Sequence, residues 1–278
     1  MQQNTILGKY TIDKVLGKGK FGKVYKGTRI KNQETVAIKI ELLSEYKLLK
    51  HETTMLNYLH CHGVKHIPSV FWYGIFEKCP TLIITYYQNS LEDYAKHKTI
   101  NQEKMDTIMQ ILLEILENVH MQYIIHRDIK PQNIMMKDGE LFLIDFGLST
   151  FYVDENFKHV EFKKNKEYII GTPKYISYNI HNGQEPSRRD DLISLGYLYL
   201  NLMFGDLPWS NINSLSNMSS TNINSLSNEI NSPINQERKQ LKSWKNLSNI
   251  LDSKESKIYK YMERCYNLGY NEIDYTWV

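Results

Sequence analysis

Cysteine is scarce in this chain: Cys61, Cys79 and Cys265 are the only three among 278 residues, far apart and odd in number. That excludes a disulfide-stapled framework and the paired spacings of a zinc site. It points to a reducing compartment, cytoplasm or nucleus. An excess of one charge sign is missing as well. The net charge of +3 is too small to imply a nucleic-acid or membrane partner by itself. The local exception is the first thirty residues, where Lys9, Lys14, Lys18, Lys20, Lys23, Lys26 and Arg29 face the single acid Asp13; this reads as a solvated basic face. Long hydrophobic runs are absent too. The most apolar stretch, 191–205, is too short to span a bilayer and opens on an acid. Met1-Gln2-Gln3-Asn4-Thr5 carries no basic-then-apolar leader pattern. Ordinary hydrophobic (41%) and charged (23%) content indicates a globular chain. Its length suits one large domain or two lobes, with a monomer as the default expectation.

The periodicity changes along the chain. Residues 10–40 alternate like strands, with Tyr10 and Ile12, then Val36, Ile38 and Ile40. They are interrupted by Gly17-Lys18-Gly19-Lys20-Phe21-Gly22. From 43 to 59 the pattern turns helical, and Leu49, Glu52, Leu56 and Leu59 share one face, so a single carboxylate sits inside an apolar stripe. Residues 70–73 and 81–86 read as strands and complete a small β-rich lobe. A helix-dominated half follows, with strong helical patterns over 105–120 and 190–204 and a short strand over 141–144. The stretch 210–235 is rich in Asn and Ser and repeats Asn-Ile-Asn-Ser-Leu-Ser-Asn at 211–217 and 222–228. It reads as a flexible insertion whose removal would leave the melting temperature nearly unchanged. Helical pattern resumes over 236–266.

The chemistry-bearing residues are specific. His126-Arg127-Asp128-Ile129-Lys130-Pro131-Gln132-Asn133 is followed, twelve residues after Asn133, by Asp145-Phe146-Gly147. Two carboxylates, an amide and an ammonium at that spacing resemble the catalytic machinery of protein kinases. Phosphoryl transfer needs an acceptor or orienter for the attacking hydroxyl, hard oxygen ligands for Mg²⁺, and positive charge on the phosphates. Asp128, then Asn133 with Asp145, then Lys130 suit those tasks in turn. His126 and Arg127 read as scaffold. The run Gly17-x-Gly19-x-x-Gly22-x-Val24 is weak alone, since a dinucleotide fold uses a similar one. Here strand-like sequence flanks it on both sides and Val36-Ala37-Ile38-Lys39 follows. An ammonium inside an apolar strand needs a counter-ion. The expected partner of Lys39 is Glu52, with Glu45 the alternative.

The chain therefore resembles eukaryotic-type Ser/Thr protein kinases, and within them the casein kinase 1 family. The narrower likeness rests on Gly171-Thr172-Pro173-Lys174-Tyr175-Ile176-Ser177-Tyr178-Asn179-Ile180-His181, then on Ser187-Arg188-Arg189-Asp190-Asp191 and Leu207-Pro208-Trp209. The resemblance implies an α+β, two-lobed fold, with a small β-rich lobe over 8–87 and a larger helical lobe over 88–278. It implies ATP and Mg²⁺ as cofactors and proteins as substrates. Leu16, Gly17, Gly19, Gly22 and Val24 would cover the nucleotide, with Ala37 beside adenine, Ile84 as gatekeeper, and Thr85, Tyr86 and Tyr87 as the hinge. Thr172 would hold Asp128 and Lys130, and Asp191 would brace the catalytic loop. Lys174 and Arg188 match positions that favour acidic or phosphorylated residues near the target; a plain ion pair of Arg188 with Asp190 is the alternative. The family's later basic region is replaced by the insertion, for which Lys239, Lys242 and Lys245 are candidate substitutes. Lys18 and Lys20 stand where small residues are usual. Ending at Val278, the chain resembles compact viral or protist members and implies a constitutively active form. A pseudokinase scaffold and a small-molecule kinase are the competing functions.

Overall fold

The computed structural model describes residues 5–19, 22–42, 47–163, 168–212, 229–251 and 253–277. Lys20, Glu45 and the central insertion, 213–228, lie outside the described residues. The chain divides into two compact units, Met1–Ser90 with Ile134–Leu148, and Leu91–Asn133 with Ser149–Val278. The first is β-rich and the second helical, so the fold is mixed α+β, as expected.

In the first unit, six antiparallel strands form one sheet in the order β1-β2-β3-β4-β6-β5. They are β1 (Thr5–Ile6), β2 (Tyr10–Lys18), β3 (Gly22–Arg29), β4 (Glu34–Glu41), β5 (Val70–Phe76) and β6 (Cys79–Thr85). Strand alternation gives the sheet two distinct faces. Tyr25, Ile38 and Ile83 pair across β3, β4 and β6 and join Ile6, Tyr10 and Val36 in a core. Helix α1 (Leu48–Cys61) buries Leu49, Glu52, Leu56 and Leu59, the stripe read from sequence. Strand β9 (Ile134–Lys137) pairs with β7 (Asn89–Ser90) on one side and with β10 (Glu140–Leu143) on the other. The sequence reading assigns 134–148 to the helical half. Here the Leu143 N–H donates to the His66 carbonyl at 2.9 Å, and the 3₁₀ turn Phe146–Leu148 packs against α1. Those contacts group it with the β-rich unit.

The second unit is organised on α3 (Gln102–His120) and α5 (Arg188–Phe204), the latter buried over most of its length. The shorter α2 (Leu91–His97) and α4 (Tyr178–His181) accompany them. A two-strand pair joins β8 (Ile124–Ile125) and β11 (Thr150–Phe151). Asn101 caps α3 by accepting from the Lys104 N–H at 2.9 Å. The helical run expected over 236–266 is broken into helices Pro233–Leu241, Trp244–Leu247 and Lys257–Asn267. Ser243 and Ser256 stand in extended conformation at the starts of the last two, where a serine favours helix initiation over continuation.

The insertion boundary also needs correcting. Ile212, Ile230, Ser232 and Asn235 are buried, and the Asn235 amide donates to the carbonyls of Glu229 and Ile230. Residues 229–235 are therefore packed structure, and a deletion reaching Asn235 would cost stability.

Candidate active site

The first unit carries a cation cradle. Val24, Lys39 and Leu82 form one cross-strand row, and Lys26, Ala37 and Ile84 the next. Directly paired residues share a face, and so do residues two apart. Val24, Ala37, Lys39 and Ile84, which the sequence nominated separately, therefore line one surface. Gly17 pairs with Val24 at the end of the β2–β3 hairpin, and the Gly19 N–H closes the loop on the Gly22 carbonyl at 2.9 Å. A Cβ added at Gly17 or Gly19 would meet nothing within 4 Å, and neither residue has positive φ. Leu16 is exposed beside them. Thr85 exchanges hydrogen bonds with Ser69. Tyr87 is buried with its ring 4.9 Å from Phe142.

Lys39 Nζ donates to both Glu52 oxygens, at 2.7 and 2.9 Å, and to Asp145 Oδ1 at 3.2 Å. The expected Lys39–Glu52 pairing is the one formed. Burial alone would lower the Lys39 pKa, but the Asp145 and Glu52 carboxylates outweigh it and raise it. Burial pushes the Glu52 carboxyl up, opposed by the Lys39 ammonium. Asp145 adopts positive φ (70°), a costly conformation for a non-glycine residue that is concentrated at functional sites.

The second unit carries a saturated carboxylate. Asp128 is 7% exposed. Its Oδ1 accepts from the Thr172 N–H (3.1 Å) and hydroxyl (2.6 Å), and its Oδ2 from Lys130 Nζ (2.5 Å) and Asn133 Nδ2 (3.1 Å). Lys130 also reaches Thr172 Oγ1 at 3.0 Å. The loop itself hangs on Asp191, which accepts the backbone N–H groups of His126 (2.7 Å) and Arg127 (2.9 Å) and lies 3.0 Å from His120 Nε2. Burial would raise the Asp191 pKa; the His120 hydrogen bond and the charges of His120 and His126 reverse this and lower it. Arg127 has φ 69°. At Gly171, φ is +106°, and an added Cβ would lie 2.6 Å from the Arg127 carbonyl. Glycine here lets the 171–176 segment press against the Arg127–Asp128 backbone.

The basic candidates for substrate contact are already engaged. Lys174 pairs with exposed Asp206 at 3.1 Å. Arg188 donates to the Asn271 carbonyl at 2.7 Å and stacks 4.7 Å from the Tyr152 ring. Its alternative partner, Asp190, is instead held by Ser177, Asn179 and the Ser187 N–H. Lys242 must be struck from the basic substitutes: it is fully buried and donates to the Pro173 and Ile176 carbonyls. Lys239 is half-buried and Lys245 exposed. Glu41 belongs to the family-like run 36–41, but the sequence reading gave it no role. It is buried and accepts from Leu48 and Leu49 at the start of α1.

Each unit by itself offers an oxygen of the hard kind that Mg²⁺ accepts. Asn133 turns Nδ2 to Asp128, which leaves Oδ1 as a hard ligand; Asp145 supplies carboxylate oxygen. Among the described residues there is no group of three His, Cys, Asp or Glu side chains that could hold a metal. The space over Gly17 and Gly19 is open. Among the described residues no helix is long and apolar enough to cross a membrane. The family model described as the protein kinase domain matches residues 10–270.

Proposed function

The chain belongs to the protein kinase family, and from that premise we propose that it transfers the γ-phosphoryl group of ATP to serine and threonine hydroxyls of proteins. The observation that carries this reading is the setting of Asp128, whose four donors fix both carboxylate oxygens. Two carboxylate oxygens offer about four lone-pair sites, so all are occupied. A substrate hydroxyl needs one of them vacated. Lys130 is the donor able to leave, because its ammonium is also the group suited to the γ-phosphate. Its move from Oδ2 to a phosphate oxygen frees the site that orients the hydroxyl and takes its proton. Thr172 meanwhile keeps Oδ1 in place.

Bound Mg²⁺-ATP supplies the electrophilic phosphorus, with its oxygens partly neutralised. Asn133 and Asp145 are the metal ligands in this reading, and Lys39, fixed by Glu52, serves the phosphates. Leu16, Gly17, Gly19, Gly22, Val24, Ala37, Ile84, Thr85 and Tyr87 hold the nucleotide. Lys130 beside Pro131 supports Ser/Thr over tyrosine. A casein kinase 1-like branch is supported by Ser177 and Asn179, both of which bond Asp190 Oδ1. This gives that family's motif a physical use. Acidic or phosphorylated target sites would be read by Lys174, whose exposed pair with Asp206 is worth little and exchangeable, and by Arg188 on release from Asn271.

A Mg²⁺-ATP assay on a positional peptide library tests these points together. Wild type should phosphorylate Ser/Thr peptides, and Asp128→Asn should lose about 10²–10⁴-fold in kcat. Arg188→Ala should lose selectivity for acidic or primed sites; equal selectivity would remove that role. The competing scaffold reading requires ATP binding without turnover in wild type.

A further inference from the structure

We propose that Lys242 is a positioning residue for the transfer step, holding the 172–176 segment and through it Asp128 and Lys130; this rests on the kinase reading above. The segment is a tight turn in which the Tyr175 and Ile176 N–H groups donate to the Thr172 carbonyl at 2.8 and 3.0 Å. Its other carbonyls point inward, where a buried acceptor needs a donor. Lys242 is 0% exposed and supplies two of them, donating to Pro173 O at 2.8 Å and Ile176 O at 2.7 Å. Trp209 Nε1 supplies the third, to Lys174 O at 2.7 Å.

The remaining ammonium hydrogen is matched as well. Asn235 Nδ2 is directed to the Glu229 and Ile230 carbonyls, so its Oδ1 faces His181 Nδ1 at 2.6 Å. That nitrogen must then carry the imidazole proton, which leaves Nε2, 3.1 Å from Lys242 Nζ, as an acceptor. Burial and then the Arg238 charge push the Lys242 pKa well below 10.5; in its charged form the ammonium has three donors and no acceptor, and here it meets three acceptors. The Tyr197 and Trp209 rings lie 5.0 and 5.1 Å from it, favourable ground for a buried cation. An apolar side chain could fill this space but could not fasten two carbonyls. Thr172, one residue before Pro173, places two of the four donors on Asp128. A small displacement at that distance from the chemistry is costly, because a misplacement of about 1 Å can cost about 10²-fold.

The test compares the full chain with Lys242→Met, which keeps the stem and deletes the donors. The expected result is a kcat lower by about 10²-fold with KM for ATP within about two-fold of wild type. Hydrogen exchange should quicken at the Tyr175 and Ile176 amides while α5 stays protected. A purely structural lysine would instead lower the melting temperature and leave kcat per folded molecule unchanged, which overturns the proposal. Should Lys242→Met lose α5 protection, His181→Leu, which removes the third acceptor, is read the same way: unchanged kcat and exchange overturn it. If wild type itself transfers no phosphate, the kinase reading fails separately. Slow exchange at Tyr175 and Ile176 in Lys242→Met would then still refute the fastening.

Discussion

Lys39 has its three ammonium hydrogens spent on two carboxylates, so deleting it alters charge as well as contact. In Lys39→Met, Glu52 keeps its burial, at 1% exposure, but loses the ammonium that opposes it. Its native pKa is then raised further above the ordinary 4.5. A carboxyl raised on folding contributes stability that is present below its unfolded pKa and is lost as pH rises through the folded one. Lys39→Met is therefore expected to lose phosphoryl transfer and also to weaken, relative to wild type, as pH rises above about 4.5. The slope should reach at most about 1.4 kcal/mol per pH unit in urea unfolding. Adding Glu52→Gln should flatten that slope. A pH-independent difference between Lys39→Met and wild type would mean that Glu52 finds another counter-charge.

Helix α1 is steered from a single strand. Lys39 and Glu41, two residues apart on β4, grip it at Glu52 and at its first turn. The helix starts after Lys47, which is in left-handed conformation (φ 49°) and provides no side-chain cap. The Leu48 and Leu49 N–H groups are satisfied instead by Glu41, at 3.1 and 3.2 Å. Replacing a cap carboxylate typically costs about 0.5–2 kcal/mol. Glu41→Ala should therefore lower the melting temperature by a few degrees and reduce kcat by loosening Glu52; an unchanged kcat would show that Lys39 alone sets the helix. This element also marks how far the sequence was legible. Glu52 was readable because one carboxylate inside a helical apolar stripe violates a local pattern. Glu41 was not, because its partners are backbone amides across a connection and no local signal names them. Asp128, Asn133 and Asp145 were legible from their spacing. The engagement of Arg188 and the burial of Lys242 were not, because both depend on segments more than sixty residues away in sequence.

At the scale of the whole chain, the region after the insertion returns to fasten the segment before it. Ile230 joins Ile169, Ile176 and Ile180 in one apolar cluster, while Asn235 and Lys242 meet His181 from two sides. His181 is fully buried. Burial, then the Lys242 charge, and more weakly Arg238, hold its pKa well below 6.5, against support from Asn235 and the Pro173 carbonyl. The unfolded chain accepts a proton on this imidazole below about pH 6.5; the native chain refuses it. Stability must then fall as pH drops through that value, by at most about 1.4 kcal/mol per unit from this residue. Other histidines and the carboxylates titrate too, so the informative quantity is the difference between wild type and His181→Gln. That variant should be less stable at pH 7.5, where it loses the Asn235 and Lys242 contacts. Its deficit should shrink as pH falls to about 5.5, because it has no imidazole to leave unprotonated. Asp191 does not confuse the reading: its pKa lies below 3.8, so its contribution is lost only at more acidic pH. A deficit constant from pH 7.5 to 5.5 would mean that the native fold admits a proton at His181, and that Lys242 is not a full ammonium beside it.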